Sequence, residues 1–148
     1  MAGVMGLFTI GFTKKTAKQF FELLKKNQVK SLIDTRLNNK SQLAGFTKKE
    51  DLEYFLKEIA GIRYVYKPEF APSDEILTKY KRGAMDWQQY EVKYLQLLKE
   101  RNILQNLDFS IFENACFLCS EHSPQHCHRR LLAEYLSGHN PSLKIIHL

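Results

Sequence analysis

Apolar positions along the chain follow two periods that alternate in blocks. Phe8-Thr9-Ile10 is a short run of strand length, ended by Gly11. Thr13 can then cap a helix reaching about Gln28, with Phe20, Phe21 and Leu24 on its inner side. Val29 to Ile33 reads as a second strand that stops at Asp34-Thr35-Arg36. A polar, turn-rich loop follows over residues 36–46, where Asn38, Ser41 and Gln42 offer hydrogen-bonding groups. Thr47-Lys48-Lys49-Glu50 has the form of a capping box and opens a helix carrying Leu52, Phe55, Leu56 and Ile59, with Gly61 as its stop.

Ile62 to Tyr66 is a third strand, leading into Lys67-Pro68-Glu69-Phe70. Ser73-Asp74-Glu75 starts a short helix through about Tyr80, which Gly83 interrupts. From Asp86 a long amphipathic helix carries Trp87, Tyr90, Tyr94, Leu97 and Leu98 and frays over residues 102–106. Ala115 to Cys119 is an apolar strand. Ser123-Pro124 supplies an N-cap and an N1 proline for a helix with Leu131, Leu132, Tyr135 and Leu136 on one side. Leu143 to His147 closes the series as a last strand.

Strands joined by helices of this length make parallel βαβ units. The expected fold is α/β, a three-layer Rossmann-like domain with a mostly parallel sheet, formed as one domain over residues 1–148. Periodicity does not encode the strand order. Hydrophobic residues make up 44% of the chain, enough for a core without disulfide staples. No run approaches the ~18 apolar residues of a membrane span, and no basic segment precedes the apolar start. The expectation is therefore a cytoplasmic protein with its three cysteines reduced. The net charge of +6 is spread over small groups such as Lys14-Lys15, Lys48-Lys49 and Arg129-Arg130. It favours a phosphate-bearing partner, either a small molecule or a nucleic acid, without specifying one.

Chemistry concentrates where strands end. Cys119 closes a strand, and a thiolate there is a nucleophile if positive charge or helix-end amides stabilise it. His122, His126, His128 and Arg129 follow closely. His128 shares a face with Leu132 and Tyr135, which turns it towards the sheet. There it either orients Asp34 or Glu121 or is a satisfied core histidine. Arg129 occupies no obvious core position, and a cation near a helix N-terminus opposes the dipole. A bound anion offsets that penalty, as does a carboxylate such as Glu121. Asp34 is a base, a ligand-binding carboxylate or the partner of an arginine. Arg36 is suited to a bidentate grip on phosphate or carboxylate. Glu69 adds a third polar strand end.

Cys116-x2-Cys119 followed by histidines has superficial zinc spacing, but three positions along a strand put the two thiols on opposite faces. No metal is expected, and no cofactor is specified. Gly-x-Gly-x-x-Gly, Walker A, Gly-x-Ser-x-Gly and the Cys-x5-Arg phosphatase loop are all absent.

Four segments together resemble the DUF488 family of small α/β proteins of unknown function. They are Thr9-Ile10-Gly11-Phe12; Val29 to Asn38 with its Asp34-Thr35-Arg36; Gly61-Ile62-Arg63-Tyr64 with Pro68-Glu69-Phe70; and Cys119-Ser120-Glu121 through Pro124 to Cys127-His128-Arg129. The resemblance points to Asp34, Arg36, Glu69, Cys119, Glu121, Cys127, His128 and Arg129 as site positions. The expected function is an anion- or phosphate-binding crevice acting on a phosphoester or nucleotide. Cys119 or Asp34 would be reactive, His128 would orient or shuttle a proton, and Arg36 and Arg129 would hold the anion. Glu69, Glu121 and Cys127 would assist binding. The alternative is a non-catalytic nucleic-acid-binding or structural module, favoured by Tyr64, Tyr66, Tyr80, Trp87 and Tyr90 among the basic groups.

Overall fold

The computed structural model describes residues 5–38, 45–121 and 123–148. Ser41, Gln42 and His122 lie outside the described residues. Five strands form a wholly parallel sheet: β1 (Met5–Gly11), β2 (Ser31–Asp34), β3 (Arg63–Tyr66), β4 (Ala115–Cys119) and β5 (Leu143–His147). Their order is β3-β2-β4-β1-β5.

Among the described residues five α-helices cover the two faces: α1 (Ala17–Lys26), α2 (Lys49–Phe55), α3 (Asp74–Lys81), α4 (Trp87–Glu100) and α5 (His128–His139). Alternation along the strands divides the core in two. Phe8, Ile10, Leu32, Cys116 and Leu118 pack with Phe20, Phe21 and Leu24 of α1 and with Leu52 of α2. Leu7, Ile33, Ala115, Phe117 and Leu143 pack against Tyr90, Tyr94 and Leu98 of α4 and Leu131, Leu132 and Leu136 of α5. The molecule is the expected three-layer α/β sandwich around a parallel sheet.

Most boundaries fall where the sequence places them, and the exceptions have local causes. Helix α1 is capped by Thr16 rather than Thr13. Thr16 accepts from the Gln19 amide at 3.1 Å, while the Gln19 side chain accepts from the Thr16 amide at 2.9 Å. The capping box read at Thr47 does not form. Thr47 ends a 3₁₀ turn, and Lys48 precedes α2 without a side-chain cap. Helix α2 continues as a π turn, Leu56–Ala60, that Gly61 closes at φ 63°. Ser73 and Asp86 cap α3 and α4 as expected. Helix α5 starts at His128, four residues after Pro124. The Ser123 hydroxyl accepts from the Gln125 amide within a local turn, and Cys127 becomes the N-cap.

Topology places the site. Strand β4 lies between β1 and β2, yet the helices that follow β1 and β2 pack on one face and α5, which follows β4, packs on the other. The chain therefore diverges at the carboxyl ends of the three central strands. Open α/β sheets form their ligand crevices at such switch points.

Candidate functional site

A crevice of ≈ 390 Å³ opens beyond β2 and β4. Arg36, Leu37 and Asn38 from the β2 exit border it, as do Leu77, Tyr80 and Lys81 of α3 and Tyr90 of α4. Cys119, Ser120 and Glu121 from the β4 exit, and His126, Cys127 and His128 at the start of α5, complete the lining. A larger hollow of ≈ 620 Å³ lies along α1, lined by Lys14, Lys15, Gln19, Glu22, Leu23 and Lys26. It contains none of the strand-end groups, so the crevice is the better candidate for chemistry.

Three consecutive residues bind the start of α5 to the sheet. Cys127 meets Cys119 across eight positions of sequence: their sulfurs are in contact while their Cα atoms stand 7.6 Å apart. The end of β4 and the N-cap of α5 are thus held together, while Cys116 lies apart from this pair. Cys116 packs in the α1-side core, where burial pushes its thiol well above the ordinary range.

His128 is buried, and its Nε2 lies 2.8 Å from the Thr35 carbonyl and 3.0 Å from Thr35 Oγ1. The carbonyl can only accept, so Nε2 carries the proton and Nδ1 the lone pair. Thr35 Oγ1 in turn donates to the Leu118 carbonyl at 2.8 Å. His128 thus holds the β2 exit to β4, and its partner is Thr35 rather than Asp34 or Glu121. Burial pushes its pKa down to about 4, although the bond to Thr35 works in the opposite direction. The unfolded value is near 6.5, so the unfolded chain binds the extra proton between these limits. Stability present above pH 6.5 is therefore lost as pH falls towards 4. The expected loss is about 3 kcal/mol. Urea unfolding of wild type and His128→Gln across that window checks this, and an unchanged slope in the variant would refute the assignment.

Arg129 is fully buried, contrary to its unpromising position on the helix. Its Nε donates to Thr9 Oγ1 of β1 at 3.2 Å, and its Nη1 donates to Cys119 Sγ at 3.0 Å and to the Glu121 carbonyl. Burial lowers its pKa to about 10, which leaves it charged at neutral pH. The helix-end penalty is met by these acceptors, with Glu121 supplying its main chain. Gly11 makes the arrangement possible. A Cβ there would overlap the Glu121 carbonyl oxygen and stand 2.9 Å from Arg129 Nη1.

The second constellation turns to the other face. Asp34 is fully buried and accepts from the Arg36 amide at 3.1 Å, Arg36 Nε at 2.9 Å, Arg36 Nη2 at 2.9 Å and the Tyr64 hydroxyl at 2.6 Å. Arg36 Nη2 also donates to the Thr47 carbonyl at 2.7 Å, and the guanidinium lies 5.5 Å from the Phe12 ring centroid. Nη1 of this 5% exposed residue has no hydrogen-bond partner among the described residues. Asp34 is thus the partner of Arg36, not of Arg129.

The structure brings Arg36, Cys119, Glu121, Cys127 and His128 to one crevice. Asp34 and Arg129 stand behind that lining. Glu69 is exposed outside it, and its carbonyl accepts from Arg101 Nη1 at 2.9 Å. The sequence marks Lys81 only as part of the basic group from Lys79 to Arg82, and not as a lining cation. It also does not mark the ring stack at one side: Trp87 lies over Tyr90 at 4.7 Å and over His126 at 5.0 Å.

A family model described as "Domain of unknown function DUF488" matches residues 16–136. No curated protein and no solved structure matches the chain.

Proposed function

The chain belongs to the DUF488 family, and from that premise we propose that the strand-end crevice binds a phosphate-bearing small molecule of nucleotide type. One observation carries this reading. Among the described residues Arg36 Nη1 is a buried cationic donor with no acceptor, and Arg36 is one of the residues that line the crevice. Leaving such a group unsatisfied costs about 1–3 kcal/mol, more when it is charged. An anionic oxygen entering the crevice would relieve that cost.

Lys81 on the rim adds a second cation, and Tyr80 and Tyr90 add an aromatic wall suited to a base. Asp34 is occupied by four donors, so any turnover of a phosphoester is assigned to Cys119 as a thiolate stabilised by Arg129 Nη1. The ring stack of Tyr90, Trp87 and His126 favours a second reading, binding of nucleic acid without turnover.

Calorimetric titration with inorganic phosphate, adenosine monophosphate and a short single-stranded oligonucleotide separates the readings. Phosphate and the mononucleotide are expected to compete for one site. Lys81→Ala, an exposed substitution, should weaken the mononucleotide about fivefold, close to 1 kcal/mol. The absence of millimolar binding by all three, or equal binding to Lys81→Ala, would sink the anion reading. Oligonucleotide binding that the mononucleotide does not displace would favour the second.

A further inference from the structure

We propose that Cys119 and Cys127 form a redox-active disulfide–dithiol centre that exchanges with low-molecular-weight thiols entering through the crevice. The proposal does not depend on a nucleotide ligand. Both residues border the crevice, and at 1% and 2% exposure they are reached only by a thiol small enough to enter it. The two sulfurs also have different surroundings. Arg129 Nη1 is 3.0 Å from Cys119 Sγ and bears a buried positive charge. A thiolate forming on Cys119 is stabilised by that guanidinium, and a sulfur with a stabilised thiolate leaves more readily. Cys127 is therefore the sulfur that is attacked.

In the reductive direction, a thiolate RS⁻ attacks Cys127 Sγ. The new S–S bond joins R to Cys127. The Cys119–Cys127 bond breaks, and its electron pair leaves on Cys119 as a thiolate beside Arg129. A second RS⁻ then attacks the R-bearing sulfur of the mixed disulfide. This forms RSSR and releases Cys127 as a thiolate, which takes a proton from solvent. Two RSH are oxidised to one RSSR, and one protein disulfide is reduced to two cysteines. The reverse sequence reoxidises the pair with a low-molecular-weight disulfide.

A staple serving only the fold would resist such exchange. Cys116 is sealed in the opposite core and provides an internal control, since it should react only after unfolding.

The test is native-state exchange with glutathione, followed by alkylation and mass spectrometry. The oxidised protein is expected to gain two alkylatable cysteines as the ratio of glutathione to its disulfide rises. It should lose them again when the ratio is reversed, with near-ultraviolet circular dichroism showing folded protein throughout. Reduction that requires denaturant, or a pair that no glutathione ratio oxidises, overturns the proposal. Two single substitutions test the assignment of roles. Near neutral pH, reduced Cys127→Ser should be alkylated by iodoacetamide at Cys119 at least about tenfold faster than reduced Cys119→Ser is alkylated at Cys127, because the stabilised thiolate is the one on Cys119. Equal or reversed rates overturn Cys119 as the leaving sulfur.

Discussion

An Arg129→Ala variant is expected to lose about 3–5 kcal/mol of unfolding free energy, enough to unfold a domain of ordinary stability. The side chain is fully buried and contacts three separate pieces of the chain: Thr9 on β1, Cys119 on β4 and the Glu121 carbonyl. Alanine removes those donors together and leaves a cavity the size of a guanidinium. The Glu121 carbonyl then loses a donor in a region that Gly11 keeps tightly closed. Arg129→Met separates the two contributions, because it restores much of the volume without the donors. It should recover about 1–2 kcal/mol of the loss. Urea unfolding with a common m-value measures both variants. A loss below about 1 kcal/mol in Arg129→Ala would mean that the buried guanidinium is not a structural tie.

Asp34→Ala should cost about as much, again 3–5 kcal/mol, through the opposite face of the sheet. Removing the carboxylate leaves the Arg36 guanidinium buried with the Thr47 carbonyl and the Phe12 ring, and takes away the acceptor of the Tyr64 hydroxyl. Breaking one half of a buried pair is more costly than deleting both halves. The double variant Asp34→Ala/Arg36→Met should therefore be more stable than the sum of the single losses implies, with a coupling of about 1–3 kcal/mol. Additive losses would show that Asp34 and Arg36 act independently.

Much of the fold was legible because core periodicity and turn residues agreed along the chain. Phe20, Phe21 and Leu24 mark α1 as plainly in sequence as in space, and Gly61 stops its helix with the backbone angle that glycine favours. Helix starts were less legible. Thr13, Thr47 and Ser123 all have the chemistry of an N-cap, but tertiary contacts decide which such residue acts as one. Thr13 instead donates its hydroxyl to the Ser120 carbonyl across the β1 and β4 exits. Strand order follows from contacts distant in sequence, which periodicity does not record.

The candidate crevice was legible in part as a set of residues and not as a set of partnerships. Cys119, His128 and Arg36 do border one crevice. Asp34 satisfies its own neighbour at position 36, while His128 selects Thr35, one residue from the expected Asp34. Adjacent residues on an extended exit point to opposite faces, so a change of one position changes the layer that is reached. Arg129 was hidden for a related reason. The start of α5 crosses the strand ends, so its first turn is enclosed by β1, β4 and the Glu121 carbonyl rather than facing solvent.

Cys127, His128 and Arg129 reach β4, the β2 exit and β1 in turn. Three neighbouring side chains thus hold one helix end to three strands in different directions, as guy ropes hold a mast. The helix end cannot rock towards one strand without slackening its hold on another. The floor of the crevice is therefore a fixed reference surface. Adaptation to different ligands would then fall to the rim, where Leu37, Asn38, Glu121 and His126 are exposed and can change without loosening the sheet.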